Sequence, residues 1–321
     1  MKRERRKPVL IVQHARHEHP AVIRRALETQ GIQVQWLHSY LGEEFPKAAE
    51  ISGMISLGGP MGANDEVAHP WIRTEIDLLR SCVEKGLPVV GVCLGGQMLA
   101  KAMGGKIEKN RSAEVGWFPI RLNADGKKDP IMGVAGATPT VYHWHEDTFI
   151  PPKEAVLLAT SEACPRQAYR IGEKAYGFQF HPEADHQLIH EWLSVEGIDD
   201  EILCIRNVHG KKTVQDSDTQ RNLALKGEKA SLKITAAFGN LFRRREKEGI
   251  KNDSYERLES LATQRAVVVI EFEGSNRKSL HLRGTISTLL SIPAGDFVVF
   301  QEENRLLWPI RIEDIRAISF A

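Results

Sequence analysis

Cys93 stands between two glycines in Gly91-Val-Cys-Leu-Gly95, where an apolar run gives way to the start of a helical pattern. A nucleophile held on a sharp strand-to-helix turn needs small neighbours, because side chains at the flanking positions would crowd the bend. The positive end of the following helix favours the thiolate, which is the attacking form. A thiol also needs a base to take its proton, and the base needs a third group to hold its tautomer and steady the imidazolium. Gly177-Phe-Gln-Phe-His181-Pro-Glu183 supplies both, with His181 just past an apolar strand and Glu183 two residues on. Together these residues point to nucleophilic catalysis by an activated cysteine.

Such a constellation needs a rigid frame, and the chain alternates strand and helix signals in front of it. A β-branched run at 9–12 is followed by a helical pattern at 21–27, a strand at 31–36 and a strand at 53–57 that ends in Gly58-Gly59-Pro60. A helix over 71–84 keeps Ile72, Ile76, Leu79 and Val83 on one face, and a strand over 87–93 runs directly into a helix beginning at Leu94. This rhythm predicts an α/β fold with a mostly parallel central sheet and helices on both faces. From 115 to 180 the signals shorten to strands at 117–122, 140–144, 155–160, 167–170 and 175–180, so part of the sheet is expected to be antiparallel. Helices over 187–196 and 220–242 follow, separated by a polar stretch to which no regular element is assigned.

The chain has 321 residues with 42% hydrophobic and 26% charged side chains, which excludes disordered and fibrous classes and fits one large and one small domain. Forty-three Lys and Arg against 42 Asp and Glu leave no whole-protein field to draw it onto nucleic acid or anionic membrane. The run at 9–12 is too short for a secretory leader, and no segment approaches the ~20 apolar residues of a membrane span. Four irregularly spaced cysteines without C-x-x-C suit neither a disulfide framework nor a zinc site, so a cytoplasmic location is expected. His14-x-x-His17-x-His19 lies in a polar stretch without a carboxylate-rich partner set, and no metal site is assigned there.

The charged tract Arg243-Arg-Arg-Glu-Lys-Glu-Gly249 marks a boundary between domains at 1–245 and 250–321. After a short helix at 255–261 the second region carries only strand signals, at 266–272, 279–289, 296–301, 306–312 and 315–320, which predicts a small β-barrel-like domain. Its pattern loosely resembles Sm-like or SH3-like barrels. Residues 251–321 carry nine Lys and Arg against ten Asp and Glu, which argues against nucleic acid and for protein docking or homo-oligomer contacts.

Leu57-Gly-Gly-Pro60, Gly91-Val-Cys-Leu-Gly-Gly-Gln97 and Phe180-His-Pro-Glu183, in this order, resemble the motifs of the class I (triad) glutamine amidotransferases, in particular the glutaminase domain of GMP synthase. Glu114-Val-Gly-Trp117 and His143-Trp-His-Glu-Asp147 are similar to its stand-alone relatives, and the resemblance spans roughly residues 8–242. It implies a flavodoxin-like fold and release of ammonia from glutamine through a Cys93 thioester, with His181 as base and then acid, and Glu183 as its orienter. It further implies an oxyanion hole from the backbone N–H groups of Gly59 and Leu94, substrate contacts at Gln97, Trp144, His145 and Glu146, and no cofactor. Relatives carry His-Gly-Asp where this chain has His145-Glu146-Asp147, so the pocket is where a difference in γ-glutamyl substrate is expected. A second region of about 70 residues is too small for an ATP-dependent synthetase, which leaves two destinations for ammonia: a separate synthetase subunit, or water in a free-standing hydrolase. Two further readings stay open at this level, a γ-glutamyl peptide hydrolase with the same triad and a regulatory scaffold with a vestigial amidotransferase fold.

Overall fold

A computed structural model describes residues 7–242, 267–273, 279–292, 295–302, 307–311 and 315–320. The first strand, β1 (Val9–Gln13), is buried at every position. Successive side chains alternate across it, so Val9 and Ile11 enter one core while Leu10 and Val12 enter the other. That is why the run is continuously apolar instead of alternating.

The chain continues through α1 (Ala21–Thr29), β2 (Val34–His38), β3 (Gly53–Ser56), α2 (Trp71–Glu84), β4 (Val89–Val92) and α3 (Leu94–Ala102). Next come β5 (Lys106–Pro119), β6 (Arg121–Leu122), α4 (Ala124–Lys128), β7 (Thr140–Ile150), β8 (Val156–Thr160), β9 (Ala168–Ile171) and β10 (Ala175–Phe178). Three helices follow, α5 (His186–Trp192), α6 (Ile198–His209) and α7 (Ser217–Phe242).

The main sheet has eight strands in the order β2-β1-β3-β4-β10-β9-β8-β6. Its first five strands pair in parallel, and β9, β8 and β6 extend it antiparallel. The result is a flavodoxin-like α/β sheet whose parallel part carries β4 and β10 side by side, so the segments that follow them emerge together. Ile23, Leu27 and Phe238 of α1 and α7 pack on Ile11, Ile55 and Phe178. On the other face Ile72, Leu79 and Met98 of α2 and α3 pack on Leu10, Val12 and Met54. Each such side chain, fully buried, stabilises the fold by about 1.5–3 kcal/mol.

Two departures from the sequence reading have clear causes. The strand expected at 117–122 is split: 117–119 end a long ribbon in which β5 pairs antiparallel with β7, interrupted by an irregularity between Lys109 and Glu114, and 121–122 are β6 at the edge of the main sheet. Many of the outer positions of β5 are exposed, so they carry little apolar signal. The polar stretch 197–219 contains α6, which buries only Ile202 but places Asp199, Asp200 and Glu201 in its first turn and Arg206 and His209 in its last. Those charges complement the helix dipole and support a helix that hydrophobic periodicity does not reveal.

In the carboxy-terminal region β11 (Val267–Glu273), β12 (Ser279–Ile292), β13 (Gly295–Glu302), β14 (Leu307–Arg311) and β15 (Ile315–Phe320) form an antiparallel sheet in the order β14-β13-β12-β11-β15. The Thr29 hydroxyl donates to the Pro309 carbonyl at 2.7 Å, and Val299 packs with Val22 and Leu232. The tract 243–249 and the helix expected at 255–261 lie outside the described residues. Among the described residues no helix is long and apolar enough to cross a membrane.

Candidate active site

Cys93 links β4 to α3 with φ +49° and ψ −106°, a conformation that a residue with a side chain rarely adopts. Holding it costs about 1–3 kcal/mol, which the surrounding bonds must offset. Its N–H donates to the Phe178 carbonyl at 2.8 Å, and its own carbonyl accepts from the Gln97 N–H at 2.9 Å. The flanking glycines are needed for space: a Cβ on Gly91 would sit 2.4 Å from the Gly95 carbonyl oxygen, and one on Gly95 would sit 2.2 Å from the Ser56 carbonyl oxygen. The thiol is nearly buried, with Sγ 3.8 Å from both the Trp144 carbonyl oxygen and Gln179 Nε2.

The segment after β10 brings His181 to this elbow. Its N–H donates to the Tyr142 carbonyl at 2.8 Å, which ties the loop to β7. Its Nδ1 lies 2.7 Å from Glu183 Oε1, and the ring meets Trp192 of α5 edge-on at 5.0 Å. Burial works against protonation of His181, but the Glu183 carboxylate and the contact with Cys93 outweigh it and raise its pKa well above the ordinary value. The wall of Trp192 and Tyr142 excludes water and strengthens these interactions.

The glycine turn after β3 packs on the start of α3. The Gly95 N–H donates to the Leu57 carbonyl at 3.1 Å, and a Cβ on Gly59 would meet Leu94 Cδ2 at 2.9 Å and His14 Cβ at 3.0 Å. Among the described residues neither the Gly59 nor the Leu94 N–H donates to a protein acceptor. Two unengaged donors therefore flank the elbow.

The four residues expected to contact substrate are disposed differently from one another. Gln97 is buried and its Nε2 lies 3.4 Å from Gln179 Oε1. The half-buried Trp144 presents its carbonyl to Cys93 and its ring to Trp192. His145 is turned into the protein, with Nδ1 donating to the Asp147 carbonyl at 3.0 Å and Nε2 3.1 Å from Glu114 Oε2. Glu146 is exposed, 3.9 Å from Lys109 Nζ.

Several residues escaped the sequence reading. Gln179 contacts both Cys93 and Gln97; its signal was its place in the short segment between β10 and His181. Glu18 reaches the site from the loop after β1, with a buried Oε2 that has no hydrogen-bond partner among the described residues. Burial raises its pKa to about 7, with Glu183 adding to the rise and His181 and His14 opposing it. The three clustered histidines diverge: His14 binds the Gly58 carbonyl and Glu75, His19 binds Glu191, and His17 is exposed. They do not form a common ligand set.

Among the described residues two clusters hold donor types suited to a metal, each with ligand atoms within 4.8 Å of one another: Glu114 with His143 and His145, and Glu18 with His181 and Glu183. In the first, Glu114 already accepts from His145 and from Gln167 Nε2 at 2.6 Å. Against the cost of burial, the hydrogen bond from His145 foremost holds Glu114 down at about 2, whereas burial pushes His143 down to about 4. The second cluster contains the histidine that faces the thiol.

The chain is 33% identical over 179 residues to the glutamine amidotransferase-like protein YfeJ of Salmonella typhimurium, covering 54% of this chain and 75% of that one. It is 34% identical over 167 residues to one of the subunits of the glutamine-hydrolysing GMP synthase of Methanococcus vannielii, covering 51% and 82%. The crystal structure of a glutamine amidotransferase from Methylobacillus flagellatus superposes with a TM-score of 0.66 at 28% identity, covering 77% of this chain and all of that one. Residues 19–198 match the model of the glutamine amidotransferase class-I family, and the chain belongs to that family.

Proposed function

We propose that this protein hydrolyses a γ-glutamyl amide, with glutamine as its first substrate, through a thioester on Cys93. The observation that carries the reading is the hydrogen-bonded line from Glu183 to His181, with the His181 ring in contact with a thiol on a strained elbow. His181 takes the thiol proton as Sγ bonds to the amide carbon. The tetrahedral oxygen is held by the N–H groups of Gly59 and Leu94, two donors without a protein acceptor among the described residues. The C–N bond then breaks, and ammonia leaves with the proton returned by His181. Water adds to the thioester while His181 accepts its proton, and cleavage of the C–S bond frees glutamate and the thiol.

Gln97 and the Trp144–Asp147 segment of β7 bind the amino-acid end of the substrate. Glu146, where the family resemblance expects glycine, is exposed beside Lys109, so its bulk does not fill the interior next to Cys93. The same exposure favours a second reading, in which the pocket mouth is charged to suit γ-glutamyl peptides. The name of the Methanococcus relative, which makes it one subunit of a synthase, supports a separate acceptor protein for ammonia.

The test is incubation with a glutamine-mimicking chloroketone, followed by intact mass measurement and peptide mapping. One adduct at Cys93, absent from Cys93→Ala, is expected. No adduct while iodoacetamide still modifies Cys93 would overturn glutamine as the substrate, and ammonia or amine release from γ-glutamyl peptides then decides between the two readings and the non-enzymatic scaffold.

A further inference from the structure

The peptide bond between Gly58 and Gly59 is planar and trans, so its C=O and N–H point in opposite directions. Whatever grips the Gly58 carbonyl therefore aims the Gly59 N–H. That grip comes from His14, whose Nδ1 lies 2.9 Å from the Gly58 carbonyl oxygen. A carbonyl only accepts, so Nδ1 is the donor. The other ring nitrogen, Nε2, lies 2.9 Å from Glu75 Oε2, which as a carboxylate also only accepts. Both contacts are satisfied together by the doubly protonated ring. Glu75 is fixed in turn by the Ser56 hydroxyl, which donates to Oε1 at 2.7 Å. His14, Glu75 and Ser56 are fully buried, and the imidazole stacks on Trp71 at 5.1 Å with an interplanar angle of 8°.

The turn needs such a clamp. Glycine at both positions is dictated by close approach, since a Cβ on Gly58 would lie 2.8 Å from Glu18 Oε2 and 2.9 Å from His181 Cε1, and one on Gly59 would meet Leu94 and His14. Two successive glycines leave the peptide between them free of side-chain hindrance to rotation. A rotated peptide would aim the Gly58 carbonyl where the N–H had been and replace a donor by an acceptor.

Resting on the function proposed above, we propose that His14 is a positioning residue for the oxyanion hole, holding the Gly58–Gly59 peptide so that the Gly59 N–H faces the reacting carbonyl. The relay Ser56–Glu75–His14 carries the orientation from β3 and α2 to the end of β1, and the bond from Gly95 to Leu57 holds the same turn against the elbow. His14 itself does not touch the substrate. Its effect is on the transition state, where the oxygen becomes an anion, and not on the ground-state amide.

Two substitutions separate the halves of the clamp. In His14→Asn the side-chain NH2 replaces Nδ1 and keeps a donor to Gly58. In His14→Gln the NH2 replaces Nε2, keeping Glu75 and releasing Gly58. With wild-type ammonia release and the inactivity of Cys93→Ala established first, His14→Gln is expected to lose about 100-fold in kcat with KM changed little, the size expected for one oxyanion donor. His14→Asn is expected to recover most of that loss. Inhibition by the γ-aldehyde analogue of glutamine, which forms a tetrahedral adduct with the thiol, should weaken in parallel with kcat, while the rate of Cys93 alkylation by iodoacetamide stays near wild type. Wild-type kcat in His14→Gln, an equal loss in His14→Asn, or a loss confined to KM each overturns the proposal. Should His14→Gln fail to fold, the wild-type protein decides: binding of the aldehyde must move the Gly59 amide proton resonance downfield, and an unmoved resonance overturns the role of His14. Failure of the function itself is separate, because it appears as absent turnover and labelling in the wild type.

Discussion

A carboxylate oxygen of Glu18 and one of Glu183 lie within 4.8 Å of each other, with a ring nitrogen of His181 within the same distance of both. Burial first, and the Glu183 carboxylate in addition, raise the pKa of Glu18 to about 7 against the opposing pull of His181 and His14.

Glu18 therefore imposes a pH dependence with a definite sign. Between the ordinary 4.5 and about 7 the folded state binds a proton at Glu18 that the unfolded state has released, so stability falls as pH rises through this window. The full span amounts to about 3 kcal/mol. Glu18→Gln should match wild-type stability at pH 4.5 and exceed it at pH 8, measured by urea unfolding at the two pH values. An equal slope in both proteins removes Glu18 as the cause.

His181 has the same sign in a higher window. Its folded pKa lies well above 6.5, so the stability contributed by its pairing with Glu183 is fully present below pH 6.5 and is lost as pH rises through the folded value. Glu183→Gln should flatten that alkaline loss and lower kcat by about 100-fold or more, because the base loses its orienting charge. Thermal melts at pH 6 and pH 9, with ammonia release at each, check both parts.

The elbow should store strain that a change at Cys93 releases. Cys93→Gly is expected to abolish turnover and raise stability by about 1 kcal/mol, since glycine tolerates φ +49°. Cys93→Ala, equally inactive, keeps a Cβ and should gain nothing. Urea midpoints of the two variants compare them directly, and equal midpoints would mean that the conformation at 93 is unstrained.

Crowding at Gly95 should be less forgiving. A Cβ there would sit 2.2 Å from a backbone oxygen, which cannot swing aside as a side chain can. Gly95→Ala is expected to cost about 3 kcal/mol and to lower iodoacetamide access to Cys93. Wild-type melting with unchanged access would show that α3 can slide away from β3.

The amino-acid sequence by itself determined what is local in the chain. Continuous apolar runs at β1 and β4 announced strands buried on both faces, the periodicity of Ile72, Ile76 and Leu79 announced α2 with its observed bounds, and the glycines around Cys93 announced the elbow. His181 and Glu183 were legible because only two positions separate them. The five carboxy-terminal strands were legible from their apolar content and turn residues. Only the tertiary structure decided the rest. α6 was hidden because a helix that buries one residue leaves almost no hydrophobic pattern. The clamp joins residues 61 positions apart, His14 and Glu75, and the His145 contact crosses 31 positions to Glu114. Such partners meet only after β1, β3 and α2 have packed, and the proton that each titratable group holds is set by the burial and charges that packing creates. For that reason a histidine that reads as polar filler in the chain becomes a buried donor in the fold, and Glu18, one of 42 acidic residues, becomes the carboxyl that titrates near neutrality.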